Sequence, residues 1–212
     1  MKSVEMPSLE LLRLHMALEC ISTDDSGDLI PVPCPNPDGI HRLYIAYTGH
    51  GYARFFRSDV PTDLRRALSE LSTETLFHDH EMVKTRFASF GSPCPGIHVG
   101  KSYVYPDDFD PISLPDVILL PDDDRCAIEV DGELVSACSS SHANAQSAEA
   151  WVYTDEAHRQ QGYGKRVVQA WAQRVRRSGR VPFYSHIATN IASQHLAEST
   201  GWHSYLEDVG YE

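Results

Sequence analysis

The stretch Glu149-Ala-Trp-Val-Tyr-Thr-Asp-Glu-Ala-His-Arg-Gln-Gln-Gly-Tyr-Gly-Lys-Arg166 decides how this chain is read. Ala148 to Tyr153 is rich in strand formers and reads as a strand. A polar loop follows, and Gly162-Tyr163-Gly164 opens a helix. Over Gly164–Arg177, Val167, Val168, Trp171 and Val175 fall on one stripe. Arg166, Gln169, Gln173, Arg174 and Arg177 fall on the other face, and Gly179 is placed to end the helix. A strand feeding a glycine-bearing loop into a helix start is an anion-binding arrangement. The first N–H groups of a helix have no internal partner, and the helix dipole favours negative charge there. Glycine lets an anion approach the backbone with no Cβ in the way. Arg159 and Lys165 add positive charge. Two neighbouring motifs fail on spacing: a P-loop needs Ser or Thr after the lysine, where Arg166 stands, and a dinucleotide fingerprint needs glycine at Val167.

Working outward, Cys126–Val130, Asp131-Gly132 and Leu134–Cys138 read as a hairpin, because Asp-Gly supports the positive φ angles of a tight turn. Val181–Ala188 reads as a strand, Asn190–Thr200 as a short helix closed by Gly201, and about His203–Tyr211 as a last strand. Two motifs now stand in order. Arg159-x-x-Gly162-x-Gly164 follows Val152-Tyr153-Thr154, and Asn190-x-x-Ser193-x-x-Leu196 precedes Gly201-Trp202. The first resembles the coenzyme A pyrophosphate loop of the GNAT N-acetyltransferase superfamily. The second is similar to that family's Asn-x-x-Ser-x-x-Leu helix and closing Gly-Phe pair, with Trp202 in place of Phe. The resemblance covers residues 116–212.

The resemblance implies an α/β acetyltransferase fold, a mixed and mostly antiparallel sheet with helices on both faces. It implies acetyl-CoA as acetyl donor and an amine as acceptor, attacked directly without a covalent enzyme intermediate. Backbone groups of Val152, Tyr153 and Thr154 would pair with the pantetheine arm as an added strand. Arg159, Gln160, Gln161, Gly162, Tyr163, Gly164 and Lys165 would hold the pyrophosphate, and Asn190 and Ser193 would sit near the pantetheine or thioester. Attack on a thioester needs a neutral amine and hence a base. Glu149 shares a strand face with Trp151 and Tyr153. Several family members place a glutamate base there; the other reading is a salt-bridged or surface glutamate. The family often has a tyrosine four residues before the Gly-Phe pair to protonate the leaving thiolate. Here that position is Ala197, expected to leave a gap toward the sulfur, with His195 and His142 near only in sequence. The missing tyrosine keeps a second function open, a non-catalytic acyl-CoA-binding or regulatory protein that retained the loop.

Residues 1–115 match no motif and form an N-terminal α+β region that completes the fold or shapes the acceptor site. A helix is expected at 8–20 and a loop over Asp24–Gly39. A hairpin pairs Leu43–Tyr47 with Tyr52–Phe56. A helix follows Ser58-Asp59-Val60-Pro61 with Leu64, Leu68 and Leu71 on one face, and another covers about 74–88. Short strands are expected at Ser102–Tyr105 and Val117–Leu120. The formal charge of −12 argues against a nucleic-acid partner. Five cysteines without a CxxC spacing argue against a disulfide framework or structural zinc, so no metal is expected. The acidic, amphipathic start does not read as a signal peptide, and no apolar run approaches the ~20 residues of a membrane span. A soluble, cytoplasmic protein is expected. His78-Asp79-His80, the loop Ser139-Ser140-Ser141-His142 and a solvated turn Asp122-Asp123-Asp124 read as structural.

Overall fold

The computed structural model describes residues 8–19, 21–31, 41–108, 112–120 and 124–212. The chain divides into two units, one built on Ser8–Lys101 with Tyr205–Glu212 and the other on Ser102–Ser204. No helix among the described residues is long and apolar enough to cross a membrane.

In the first unit, α1 (Ser8–Leu18) precedes β1 (Ile21–Thr23) and β2 (Leu29–Pro31). The hairpin β3 (Leu43–Tyr47) and β4 (Tyr52–Phe56) has the predicted bounds, with Tyr47 opposite Tyr52. Three helices follow: α2 (Thr62–Ser69), α3 (Thr73–His78) and α4 (His80–Ser89). Together with β5 (Ile97–Val104) and the last strand, β11 (His203–Tyr211), the strands lie in the order β4-β3-β11-β5. Leu64 and Leu68 of α2 are buried with Leu76, Phe77, Val83 and Phe87 against Leu43, Ile45 and Val209. Tyr211 is fully buried and donates its hydroxyl to the Leu76 carbonyl at 2.7 Å, while His80 Nδ1 lies 2.9 Å from the Tyr211 hydroxyl oxygen.

Two expectations change here. The helix expected over 74–88 is two helices, because Asp79 leaves helical geometry at φ −100°, ψ 75° and its carboxylate caps α4 by accepting from Met82 N at 3.0 Å. An aspartate competes for backbone N–H groups and favours a cap over a helix interior. The loop expected over Asp24–Gly39 contains a strand. Asp24 accepts from Ser26 N and Asp28 N, Gly27 turns with φ +81°, and Leu29–Pro31 pairs back on Ile21–Thr23. The rest of that loop, residues 32–39, lies outside the described residues, as do Cys20 and Cys34.

The second unit holds β6 (Ile118–Leu119), β7 (Cys126–Val130), β8 (Glu133–Ala143), β9 (Ser147–Thr154) and β10 (Val181–Ile187), in the order β10-β9-β8-β7-β6. β9 and β10 are parallel, and the pairs β6–β7, β7–β8 and β8–β9 are antiparallel. This is the mixed, mostly antiparallel sheet expected, with helices α5 (Tyr163–Arg177) and α6 (Ile191–Ser199). Asp131 and Gly132 take φ +54° and +83°, as the hairpin turn requires. The apolar stripe of α5, Val167, Val168, Trp171 and Val175, is wholly buried against Cys126, Ile128, Cys138, Ala148 and Ala150. Each of these side chains contributes roughly 1.5–3 kcal/mol by burial.

Two motifs expected as a loop and a solvated turn are ordered by hydrogen bonds in this unit. Ser139–His142 is not a loop but the end of β8, prolonged by a bulge opposite Ala150 and Glu149. Ser140 Oγ accepts from Trp171 Nε1 at 3.2 Å and donates to Asp124 at 3.0 Å, and Arg180 Nη2 meets the other Asp124 oxygen at 2.6 Å. Asp124 is therefore no solvated turn; Asp122 and Asp123 lie outside the described residues. Burial opposes ionisation of Asp124, but the Arg180 and Ser140 hydrogen bonds outweigh it and hold the carboxyl below its usual range. A depressed pKa means stability that is present above the unfolded value, about 3.9, and lost as pH falls through the folded one. Asp124→Ala should cost on the order of 1–3 kcal/mol at pH 7. In chemical denaturation, the gap from wild type should narrow as pH drops below about 4. A gap that is constant with pH would remove the ion pair from this account.

Candidate active site

Parallel pairing of β9 with β10 is brief. Ser147, Ala148 and Glu149 face Val181, Pro182 and Phe183, and the register stops there. Both strands continue, β9 to Thr154 and β10 to Ile187. On its other side β9 stays paired with β8 out to Thr154, opposite Ser136. The strands therefore part beyond Glu149 and Phe183. From Ala150 onward one edge of β9 has no ladder partner among the described residues, and the expected pantetheine contacts Val152, Tyr153 and Thr154 lie on this segment. Two acceptors of this segment are already engaged by side chains, since Arg159 Nε donates to the Thr154 carbonyl at 3.3 Å and Ser136 Oγ to the Tyr153 carbonyl at 2.9 Å.

Glu149 sits at the point of parting and is 6% exposed. Ser185 of β10 donates its hydroxyl to Glu149 Oε1, and His142 Nδ1 lies 3.4 Å from Oε2. Ser141 donates to the Glu149 carbonyl at 3.2 Å. This burial excludes a surface glutamate, while the His142 contact fits the salt-bridged reading. Sequence reasoning missed Ser185: it carries no motif, and only the short parallel register brings it across to Glu149. His142, near only in sequence before, is a real neighbour because the β8 bulge sets it directly opposite Glu149.

The loop after β9 is tied down locally. Asp155 accepts from Ala157 N at 3.0 Å and His158 Nδ1 at 3.1 Å, and these bonds, His158 first, hold its carboxyl below the usual range. Gln160 and Gly162 take φ +63° and +79°. Gly162 caps α5 with no side-chain hydrogen bond, and no acidic residue lies in the first turn. The helix start is thus electropositive by backbone alone. Arg159, Gln160, Gln161 and Lys165 are exposed around it, with Arg159 3.5 Å from Glu156. Arg166 stacks over the Tyr163 ring at 4.7 Å and pairs with Asp116. The two glycines differ in duty. A Cβ on Gly162 would meet nothing within 4 Å, whereas one on Gly164 would press on Thr154 Oγ1 at 3.2 Å. Gly164 lets α5 pack on the end of β9; Gly162 supplies the left-handed turn.

In α6, Asn190 is the N-cap, accepting from Ser193 N at 3.1 Å. Ser193 also hydrogen-bonds Tyr184, whose hydroxyl burial pushes up in pKa despite that bond. His195 is exposed. Ala197 has no exposure and belongs to the core with Trp171 and Trp202, so the gap expected at this position is absent. His78 lies 3.3 Å from the Tyr52 hydroxyl and His80 contacts Tyr211, both in the first unit. Asp79 between them is a helix cap.

Residues 126–208, from β7 through most of β11, match the family described as GNAT acetyltransferase. Among solved structures, an acetyltransferase of the GNAT family from Colwellia psychrerythraea superposes over 98% of this chain and 97% of its own, at 10% identity and a TM-score of 0.52. At that identity the likeness shows the fold. A GNAT-family protein from Novosphingobium aromaticivorans matches at 16% identity and a TM-score of 0.47, over 56% of this chain and 65% of its own, less than two thirds of its length. A GCN5-related N-acetyltransferase-like protein from Streptococcus suis matches at 15% identity and a TM-score of 0.46, over 97% of this chain and 100% of its own. No curated protein matches the sequence.

The burial of Ala197 can be tested directly. Overpacking a filled core costs typically 1–3 kcal/mol. Ala197→Tyr should therefore lower the melting temperature, while His195→Ala on the exposed face should leave it within about 0.5 kcal/mol of wild type. An Ala197→Tyr protein as stable as wild type would show room where the structure has none.

Proposed function

We propose that the chain, whose residues 126–208 match the GNAT acetyltransferase family, moves an acetyl group from acetyl-CoA to an amine. The observation that carries this reading is the parting of β9 and β10 with a buried carboxylate at its base and an uncapped helix start at its mouth. An extended pantetheine arm fits the free edge of Val152–Thr154 as an added strand. The pyrophosphate fits the first N–H groups of α5, with Gln160, Gln161, Gly162, Tyr163 and Gly164 forming the turn and Arg159 and Lys165 adding charge. Asn190 and Ser193 act through α6, one as its cap and the other through Tyr184.

In the reaction the amine nitrogen attacks the thioester carbon. The C–N bond forms, the C–S bond breaks, and the sulfur leaves with the electron pair. The amine loses one proton before or during attack. Glu149 is the base in this proposal, with Ser185 and His142 fixing its carboxylate. The usual tyrosine acid is replaced by buried Ala197, so the thiolate takes its proton from solvent. That same residue favours a second reading, an acyl-CoA-binding protein without turnover. Coenzyme A release with an amine panel separates the two, because acetyl-CoA binding without amine-dependent release supports only the second.

Two variants test the assignment. Gly162→Val places a branched residue at φ +79°, so some stability is lost, about 1–2 kcal/mol. Its acetyl-CoA affinity measured by calorimetry should fall at least about tenfold; unchanged affinity in the folded variant would remove the loop from the site. Glu149→Gln should lower kcat by about 10²–10⁴ with acetyl-CoA affinity nearly intact. The deficit should shrink as pH rises toward the amine's own pKa, where deprotonation no longer needs a base. Normal turnover at neutral pH would make Glu149 a structural residue.

A further inference from the structure

We infer that the acceptor is an aryl-alkyl amine, bound with its amino group at Glu149 and its ring on a shelf made by Trp151 and Tyr153. The inference rests on the acetyl-transfer reading and adds the substrate class. Residues along β9 alternate between two faces. Ala148 and Ala150 belong to the core against α5, with Val152 packed on it. Glu149, Trp151 and Tyr153 therefore share the opposite face. There Trp151 is 56% and Tyr153 40% exposed, and their rings stack 6.4 Å apart at 9°. Two large rings held parallel and open to solvent form an apolar patch, and a contiguous patch of that kind marks a binding site more often than scattered apolar residues do.

The surroundings select the ligand's shape and charge. Opposite Trp151 and Tyr153 on β8 stand Ser139 and Ala137, side chains too small to cover the rings. The Tyr153 hydroxyl lies 3.5 Å from Asp155, which tethers the outer ring. On β10, Ser185 reaches Glu149, and Ile187, two residues on and on the same face, is 54% exposed. Strands β8, β9 and β10 carry no Lys or Arg. The only carboxylate on these three strands whose side chain is buried is Glu149. A cationic head fits this setting and an anionic one does not. Glu149 and Trp151 are two residues apart, about 7 Å along a strand. A spacer of about two carbons between nitrogen and ring spans that distance. A polyamine would leave the aromatic shelf empty, and an amino acid would bring a carboxylate for which these three strands offer no Lys or Arg.

The test measures coenzyme A release at saturating acetyl-CoA with 2-phenylethylamine, tryptamine, n-propylamine and spermidine. The aryl amines should exceed n-propylamine in kcat/KM by about tenfold or more, and spermidine should rank with n-propylamine. Aromatic stacking is worth about 0.5–1.5 kcal/mol beyond area, and area burial adds to it. In Trp151→Ala the ratio of phenylethylamine to propylamine should therefore fall about tenfold, and Trp151→Phe should restore most of it. Equal use of all four amines, or a ratio unmoved in Trp151→Ala, overturns the inference and leaves acetyl transfer standing. Binding of acetyl-CoA with no release to any amine overturns the acetyl-transfer reading and the inference with it.

Discussion

Beyond the pair formed by Glu149 and Phe183, β9 and β10 no longer share hydrogen bonds, yet neither strand ends. A free strand edge presents unpaired N–H and C=O groups, and folded proteins ordinarily cover or blunt such edges. Here the opening is held in place from both ends. At its base, the register of Ser147–Glu149 with Val181–Phe183 joins the strands. Along its length, β8 keeps β9 straight by pairing to Thr154. Behind it, α5 packs its buried stripe on the sheet and brings its start to the end of β9, a contact that Gly164 permits because any Cβ would crowd Thr154. An open edge and an uncapped helix start are each costly features alone. Set side by side, they suit one extended ligand that ends in an anion.

The same geometry explains why a carboxylate can be buried at Glu149. Burying an acid is unfavourable unless it is hydrogen-bonded or paired. Ser185 reaches it across the last shared rung, and His142 faces it because the bulge in β8 inserts one residue and shifts the register. Had β8 run without the bulge, His142 would stand out of register with Glu149. The bulge is thus part of the site, although nothing in its Ser-Ser-Ser-His composition announces it.

Most of the second unit was legible in sequence because its signals are periodic or conformational. The stripe of α5, the Asp-Gly turn and the glycines at 162, 179 and 201 each follow from one local rule, and the structure gives those glycines φ of +79°, +82° and +77°. What sequence could not show was pairing. The end of the β9–β10 register, the bulge at Ser141 and the reach of Ser185 depend on which strand lies next to which. The same holds for Asp124, whose run of acids reads as solvated until Arg180 and Ser140 close on it. In the first unit, Asp79 was hidden inside a helical pattern because a capping role and an interior role look alike when the flanking residues suit either.

Ala197 shows how a motif position can keep its place and lose its chemistry. It stands four residues before Gly201, where the resembling family often has a tyrosine, yet here the core has closed over the methyl group. A tyrosine at this position would need a channel from helix to cleft, and Trp171, Trp202 and Tyr184 now fill the region around it. Loss of an acid at this step is tolerable on chemical grounds. A thiol is acidic enough, with a pKa near 8.5, that its conjugate base can leave unprotonated near neutral pH. The nitrogen has no such latitude: an ammonium has no lone pair to attack with, whatever the leaving group does. In the structure, a carboxylate in contact with Ser185 and His142 stands where β9 and β10 part, and a buried methyl group stands at position 197.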